Sequence, residues 1–201
     1  MIGLTLALLA ATTPAPEPVR FTGATWAISA FGGPVILNDD RVEGRLGFAA
    51  GLSGRYTWAL FLADLELGYS VSRVAGTASG VAFDLNRHGL SATFSLHPFF
   101  LRALGNRWID YLQGAFHLDV GISLEVSSVS LLGDRRSRGD PAWHWGAGLD
   151  FPVTDPNAGR SLWLGVRFRQ IRVSSDIVRS LTTDLGDYQI LLSLAYRWNW
   201  K

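Results

Sequence analysis

From Tyr188 onward the chain alternates between two faces. One face reads Tyr188, Ile190, Leu192, Leu194, Tyr196, Trp198 and Trp200, and the other reads Gln189, Leu191, Ser193, Ala195, Arg197 and Asn199. A period of two puts alternate side chains on opposite sides of an extended strand, which a helix with its 3.6-residue period cannot do. The first face carries aromatic residues at both ends and aliphatic residues between them. Trp and Tyr favour the boundary between hydrocarbon and water, so this is the profile of a strand crossing an apolar layer from one boundary to the other.

The rhythm recurs. Between residues 161 and 172, Leu162, Leu164, Val166 and Phe168 oppose Trp163, Gly165, Arg167 and Arg169. Between 142 and 152, Trp143, Trp145, Ala147, Leu149 and Phe151 oppose His144, Gly146, Gly148 and Asp150. Residues 112 to 127 set Leu112, Gly114, Phe116, Leu118, Val120, Ile122, Leu124 and Val126 against His117, Asp119, Gly121, Ser123 and Glu125. Shorter versions cover 89 to 97, 56 to 72 and 42 to 52, and an opening strand from about Phe21 to Phe31 points Trp26, Ile28 and Ala30 outward. That makes eight strands.

The expected fold class is therefore all-β: an eight-stranded antiparallel transmembrane β-barrel with up-and-down connections, over about residues 21 to 200. After residue 20 no stretch reaches the roughly 18 apolar residues that a spanning helix requires. Ser53-Gly54-Arg55 and Asp155-Pro156-Asn157-Ala158-Gly159 read as short periplasmic turns. Longer polar connections near 32–41, 73–87, 128–141 and 173–187 would face outward. The third periplasmic connection, about 98 to 108, is too apolar at Phe99, Phe100 and Leu101 for a simple turn. It reads either as a half-buried helical turn at the membrane surface or as strand ends.

Composition agrees. Twenty-two glycines and eight tryptophans with only 17% charged residues suit crowded strands and membrane boundaries. A net charge of +1 without a basic run argues against nucleic acid as a partner, and the absence of cysteine excludes thiol chemistry and disulfides. Residues 2 to 11 form an apolar run followed by a proline-rich stretch, so residues 1 to 20 are expected to be a signal peptide or a disordered N-terminal segment.

The closing pattern Tyr196-Arg197-Trp198-Asn199-Trp200, followed by Lys201, resembles the C-terminal signal by which the barrel assembly machinery recognises outer-membrane barrels. The whole plan resembles the small outer-membrane β-barrel proteins, including the OmpA transmembrane domain and the OmpW and PagL groups. The resemblance implies residence in the cell outer membrane among lipid and lipopolysaccharide, biogenesis through that machinery, and an envelope protein as a possible partner.

In so narrow a barrel, side chains fill the interior. The inward faces offer Glu43, Arg45, Asp64, Glu66, His117, Asp119, Glu125, His144, Asp150, Arg167, Arg169 and Arg197, charges of both signs that can compensate one another. Trp143, Trp145, Tyr188, Tyr196, Trp198 and Trp200 form the expected aromatic girdle, and Arg135, Arg136 and Arg138 form an outer cluster suited to lipopolysaccharide phosphates. Two histidines and a carboxylate can bind zinc. Here, however, His117 and His144 read as donors to nearby carboxylates, and no metal, cofactor or catalytic residue is expected. For a PagL-type hydrolase the nearest pairs are His88 with Ser91 and His97 with Ser95, and both lack a third group. The reading is a structural or interaction barrel with a plugged polar lumen; a narrow channel and a lipid A-modifying hydrolase are its alternatives. A soluble lipocalin-like barrel would have the reverse polarity, and a sandwich would not explain aromatic residues at strand ends.

Overall fold

The computed structural model describes residues 24–38, 42–43, 46–58, 62–78, 80–104, 108–131, 134–173 and 185–199. Eight long strands run β1 Thr25–Leu37, β2 Leu46–Trp58, β3 Ala63–Ala78, β4 Val81–Leu96, β5 Phe116–Leu131, β6 Asp134–Pro152, β7 Arg160–Val173 and β8 Leu185–Asn199. Each pairs antiparallel with its sequence neighbours, and β1 also pairs with β8, Trp26 opposite Trp198 and Ile28 opposite Tyr196. The sheet is thereby closed into a ring.

The outer wall shows why the chain takes this form. Along β8 the outward residues from Tyr188 through Ile190, Leu192, Leu194 and Tyr196 to Trp198 span ten residue steps. At about 3.3 Å per residue and a tilt of roughly 45° these rise about 23 Å, close to the roughly 25 Å apolar band of such barrels. Leu67, Leu90, Ile122, Leu124 and Leu192 are all more than 60% exposed on this wall, which water would penalise and hydrocarbon does not. Aromatic pairs bracket the band. Trp145, Phe168 and Tyr188 adjoin at 5.9 Å at one boundary, and Trp26, Tyr56 and Trp58 adjoin at 4.8 and 5.9 Å at the other.

The strands are 13 to 19 residues long, against about 9–11 needed to cross a bilayer. The surplus lies above the band, on the side away from the termini. Here β3 and β4 form one continuous ladder to Ala78↔Val81, and β5 and β6 another to Leu131↔Asp134. The long outer loops expected at 73–87 and 128–141 are thus largely strand, with Gly80, just before β4, at a φ of 80°.

Polarity explains the difference. Within the band the outward residues are apolar and the inward ones polar; above it the phase inverts. On β4, Asp84, Asn86 and His88 face out, while Phe83 and Leu85 are buried inside. On β5, Ser130 takes the outward register and is partly exposed, while Val129 is buried. Val35, Leu37, Val74, Phe83, Leu85, Val129, Ile171 and Val173 form one apolar cluster in the lumen above the charged residues. The extension is built as a soluble barrel is, with its core inside and its polar face in water.

Two other expectations are corrected. Ser53-Gly54-Arg55 is no turn: β2 runs on to Trp58, and Arg55 is buried in the lumen opposite Glu66. The 98–108 connection holds a 3₁₀ turn, Phe100–Leu104, followed by α1, Trp108–Ala115. Leu112 and Gly114, expected on a strand, belong to that helix. The Asp155 turn is present, its carboxylate accepting from the Asn157 N–H at 2.9 Å.

Candidate functional site

The lumen holds the one dense cluster of chemistry among the described residues, and cross-strand register builds it. Arg55 on β2 donates from Nε and Nη2 to Glu66 Oε2 at 3.1 and 3.0 Å, from Nη1 to Asp150 Oδ2 at 2.6 Å, and to Asp64 Oδ2 at 3.5 Å. Arg167 on β7 donates to both oxygens of Glu66 at 2.8 and 3.0 Å, and its Nε lies 3.0 Å from Asp119 Oδ2. Arg197 donates to Asp150 Oδ2 at 2.6 Å while its guanidinium stacks 4.0 Å from the Trp163 ring centroid. His97 Nε2 reaches Asp64 Oδ2 at 3.1 Å, and His117 Nδ1 reaches Asp119 Oδ1 at 2.7 Å. In each of these pairs charge is met by its opposite, which is how such groups tolerate burial.

The longest-range pairs form a pattern. Arg55–Asp150 joins β2 to β6, Arg167–Glu66 joins β7 to β3, and Arg87–Asp187, at 2.6 Å, joins β4 to β8. In a ring of eight, each pair connects strands four places apart, which are opposite walls. They act as struts across the lumen.

Glycines make the room. His117 stands directly opposite Gly148, and His144 opposite Gly121. A Cβ on either glycine would collide with the imidazole ring it faces. His144 is held by Thr93 at 2.9 Å, Glu125 accepts from Ser123 at 2.7 Å, and Arg169 lies 5.9 Å from the Phe31 ring centroid. What space remains at the Arg55, Glu66 and Arg167 level is about 10 Å³ beside Ser29, Ser53 and Ser193. That volume holds roughly one water.

Of the twelve lumenal residues expected from sequence, Asp64, Glu66, His117, Asp119, Glu125, His144, Asp150, Arg167, Arg169 and Arg197 lie in the lumen, all buried but Arg167, whose side chain is slightly exposed. Glu43 does not. It is exposed, in a two-residue strand opposite Thr77, in the register of the outward Leu65, Leu67 and Tyr69. Alternation read across the break before Leu46 loses its phase, and this puts Glu43 on the wrong face. Arg45 and Trp200 lie outside the described residues. Arg55, Arg87, His97 and Asp187 are lumenal residues that sequence reading leaves out of the cluster. Arg55 is hidden by its turn-like neighbours, and Arg87 and Asp187 fall in segments that read as loops.

Arg135, Arg136 and Arg138 are exposed at the head of β6 rather than in a loop, Arg138 pairing with Asp140 at 2.9 Å. Trp143 carries Arg172 at 5.4 Å over its ring, so this girdle residue also holds a cation at the outer boundary. His88 shares a 2.8 Å hydrogen bond with the Tyr69 hydroxyl on the outer face, whereas Ser91 takes the inward register and bonds toward Gly68 O. His97 and Ser95 are both buried inside, His97 against Asp64. Neither histidine–serine pair thus forms a hydrolytic site facing lipid.

No protein-family model matches the chain, and no curated protein matches it. Solved structures do. Neisserial surface protein A aligns with a TM-score of 0.50 at 17% identity, over 89% of this chain and 99% of that one. Ail, the attachment invasion locus protein of Yersinia pestis, solved with the heparin analogue sucrose octasulfate, aligns with a TM-score of 0.53 at 14% identity, over 88% of this chain and all of that one. The fold is that of the small outer-membrane barrels. At such identities the likeness concerns fold alone.

Proposed function

We propose that this chain is a sealed barrel of the cell outer membrane that serves as a structural and surface-interaction element and conducts nothing through its lumen. The observation that carries this reading is the double closure of the lumen. Three ion pairs strut it from wall to wall, and above them Val35, Phe83, Leu85, Val129 and Ile171 fill it with hydrocarbon. An ion would have to break the first barrier and shed its hydration in the second. The exposed wall matches a bilayer, the fold is that of outer-membrane barrels, and the exposed Arg135 and Arg136 suit lipopolysaccharide phosphates. Assembly through the barrel machinery, guided by the C-terminal aromatic pattern, completes the proposal.

Planar-bilayer recording of the refolded protein, paired with unboiled and boiled gel lanes, tests it. A heat-modifiable species that stays silent is the expected result. Reproducible unit conductance from that species would establish the channel alternative instead.

A further inference from the structure

The hydrocarbon-facing wall is not uniformly convex. Between β3 and β6 it caves in around Ala92, whose cross-strand neighbours are Leu67 on one side and Ile122 on the other. A single methyl between two long side chains leaves a slot, lined toward its upper end by Leu90, Leu124 and Pro141, with a volume of about 690 Å³. That falls within the range of small-molecule sites, roughly 300–1,000 Å³. Leu67, Leu90, Ile122 and Leu124 are each more than 60% exposed, so none of the described residues fills it. An empty slot in hydrocarbon forfeits dispersion contacts that a flexible chain would restore.

The slot leads upward into polar ground. Tyr69 stands opposite Leu90 and Val71 opposite His88, so the Tyr69–His88 hydrogen bond forms the rim. In the next row Arg73 registers with Asn86, Asn86 with Ser128 and Ser128 with Ser137; one row farther out, Asp84, Ser130 and Arg135 line up. Arg73 is clamped by Asp84 at 2.7 and 3.1 Å yet remains 68% exposed. Arg73 and Arg135 thus flank the slot's mouth from β3 and β6, three strand spacings across and one row offset, or about 16 Å apart. Two cations at that separation, over an apolar slot, complement an amphiphile with two phosphates on a disaccharide head.

We propose that this slot holds one acyl chain of a lipid A molecule of the outer leaflet, with Tyr69 and His88 at the sugar and Arg73 and Arg135 at its phosphates. The inference rests on the reading of an outer-membrane barrel whose strand extensions face outward.

The test uses the full chain in phosphatidylcholine nanodiscs doped with lipid A, with retained lipid counted by native mass spectrometry. Heat modifiability on a gel scores barrel formation separately, so a chain that forms no barrel refutes the underlying reading and the site together. With a barrel formed, one retained lipid A per barrel is expected. Ala92→Phe fills the slot from outside and should lower retention at least about tenfold, while Ala30→Phe, on the outward face of β1, should not. Arg73→Gln, on an exposed strand end that leaves the band intact, should weaken retention of lipid A but not of its dephosphorylated form. Unchanged retention in Ala92→Phe overturns the site. So does equal retention of phosphatidylglycerol, or a dimer that Ala92→Phe dissolves, since the slot would then belong to another occupant.

Discussion

Arg87 and Asp187 meet at 2.6 Å from opposite walls of the barrel, both almost wholly buried, at the level where the charged lumen gives way to the apolar one. Removing one partner leaves the other charged in a dry site, which costs about 3–5 kcal/mol, whereas replacing both with apolar residues of similar size is often neutral. Asp187→Ala is therefore expected to destabilise the barrel by that amount, and Arg87→Met with Asp187→Leu to recover most of it. Urea unfolding in phospholipid vesicles, followed by tryptophan fluorescence, measures both. Additive losses in the double variant would mean that the strut is no coupled pair.

The inversion of polarity above the band gives a contrast between adjacent residues. Val129 is 3% exposed in the apolar cluster, while Ser130 beside it takes the opposite face. Val129→Asp buries a carboxylate without a partner and should cost several kcal/mol. Ser130→Asp should stay within about 0.5 kcal/mol. If both were silent, residues 128–141 would be behaving as the loop that their polar residues suggest.

The height of the band can be measured the same way. Arginine at a lipid-facing position near the midplane costs roughly 2–4 kcal/mol and close to the interface only about 0–1. Ile122→Arg, in the middle of the outward β5 face, should incur the larger cost and Ser130→Arg the smaller. Equal costs at the two positions would contradict the placement of Ser130 above the band.

Much of this architecture is legible in the sequence because the lipid face imposes a single rule on every strand. Leu162 to Phe168 and Tyr188 to Trp198 announce themselves by aliphatic alternation ending in aromatic residues. The rule fails where its physical cause ends. Beyond the bilayer, Asp84, Asn86 and His88 stand outward because water is there, and a reading that seeks outward hydrocarbon takes them for loop. Arg87 and Asp187 drop out of the lumenal cluster by that step. Arg55 is lost to a local turn signal, Ser-Gly-Arg, that the ladder between Ile28 and Leu67 overrides at Gly54. The helix α1 goes unseen because Leu112 and Gly114 simply extend the alternation of β5 backward, and two positions cannot separate a period of two from one of 3.6.

Glycine content carries information that composition alone cannot localise, and it supplies the remaining test. Gly148 faces the lumen opposite His117, where any Cβ meets the imidazole that bonds Asp119. Gly54 lies on the outward face, where an added Cβ would find nothing within 4 Å. Valine has the better strand propensity at both places, by up to about 1 kcal/mol. Only sterics distinguish them. Gly54→Val is expected to be neutral or slightly stabilising, its methyls entering lipid. Gly148→Val should destabilise by about 1–3 kcal/mol through overpacking and also shift the His117 imidazole resonances as the Asp119 contact is lost. Should Gly148→Val instead leave both stability and those resonances unchanged, His117 would have to occupy a different place in the lumen, and the charged cluster around Asp119 and Arg167 would need to be rebuilt from its other members.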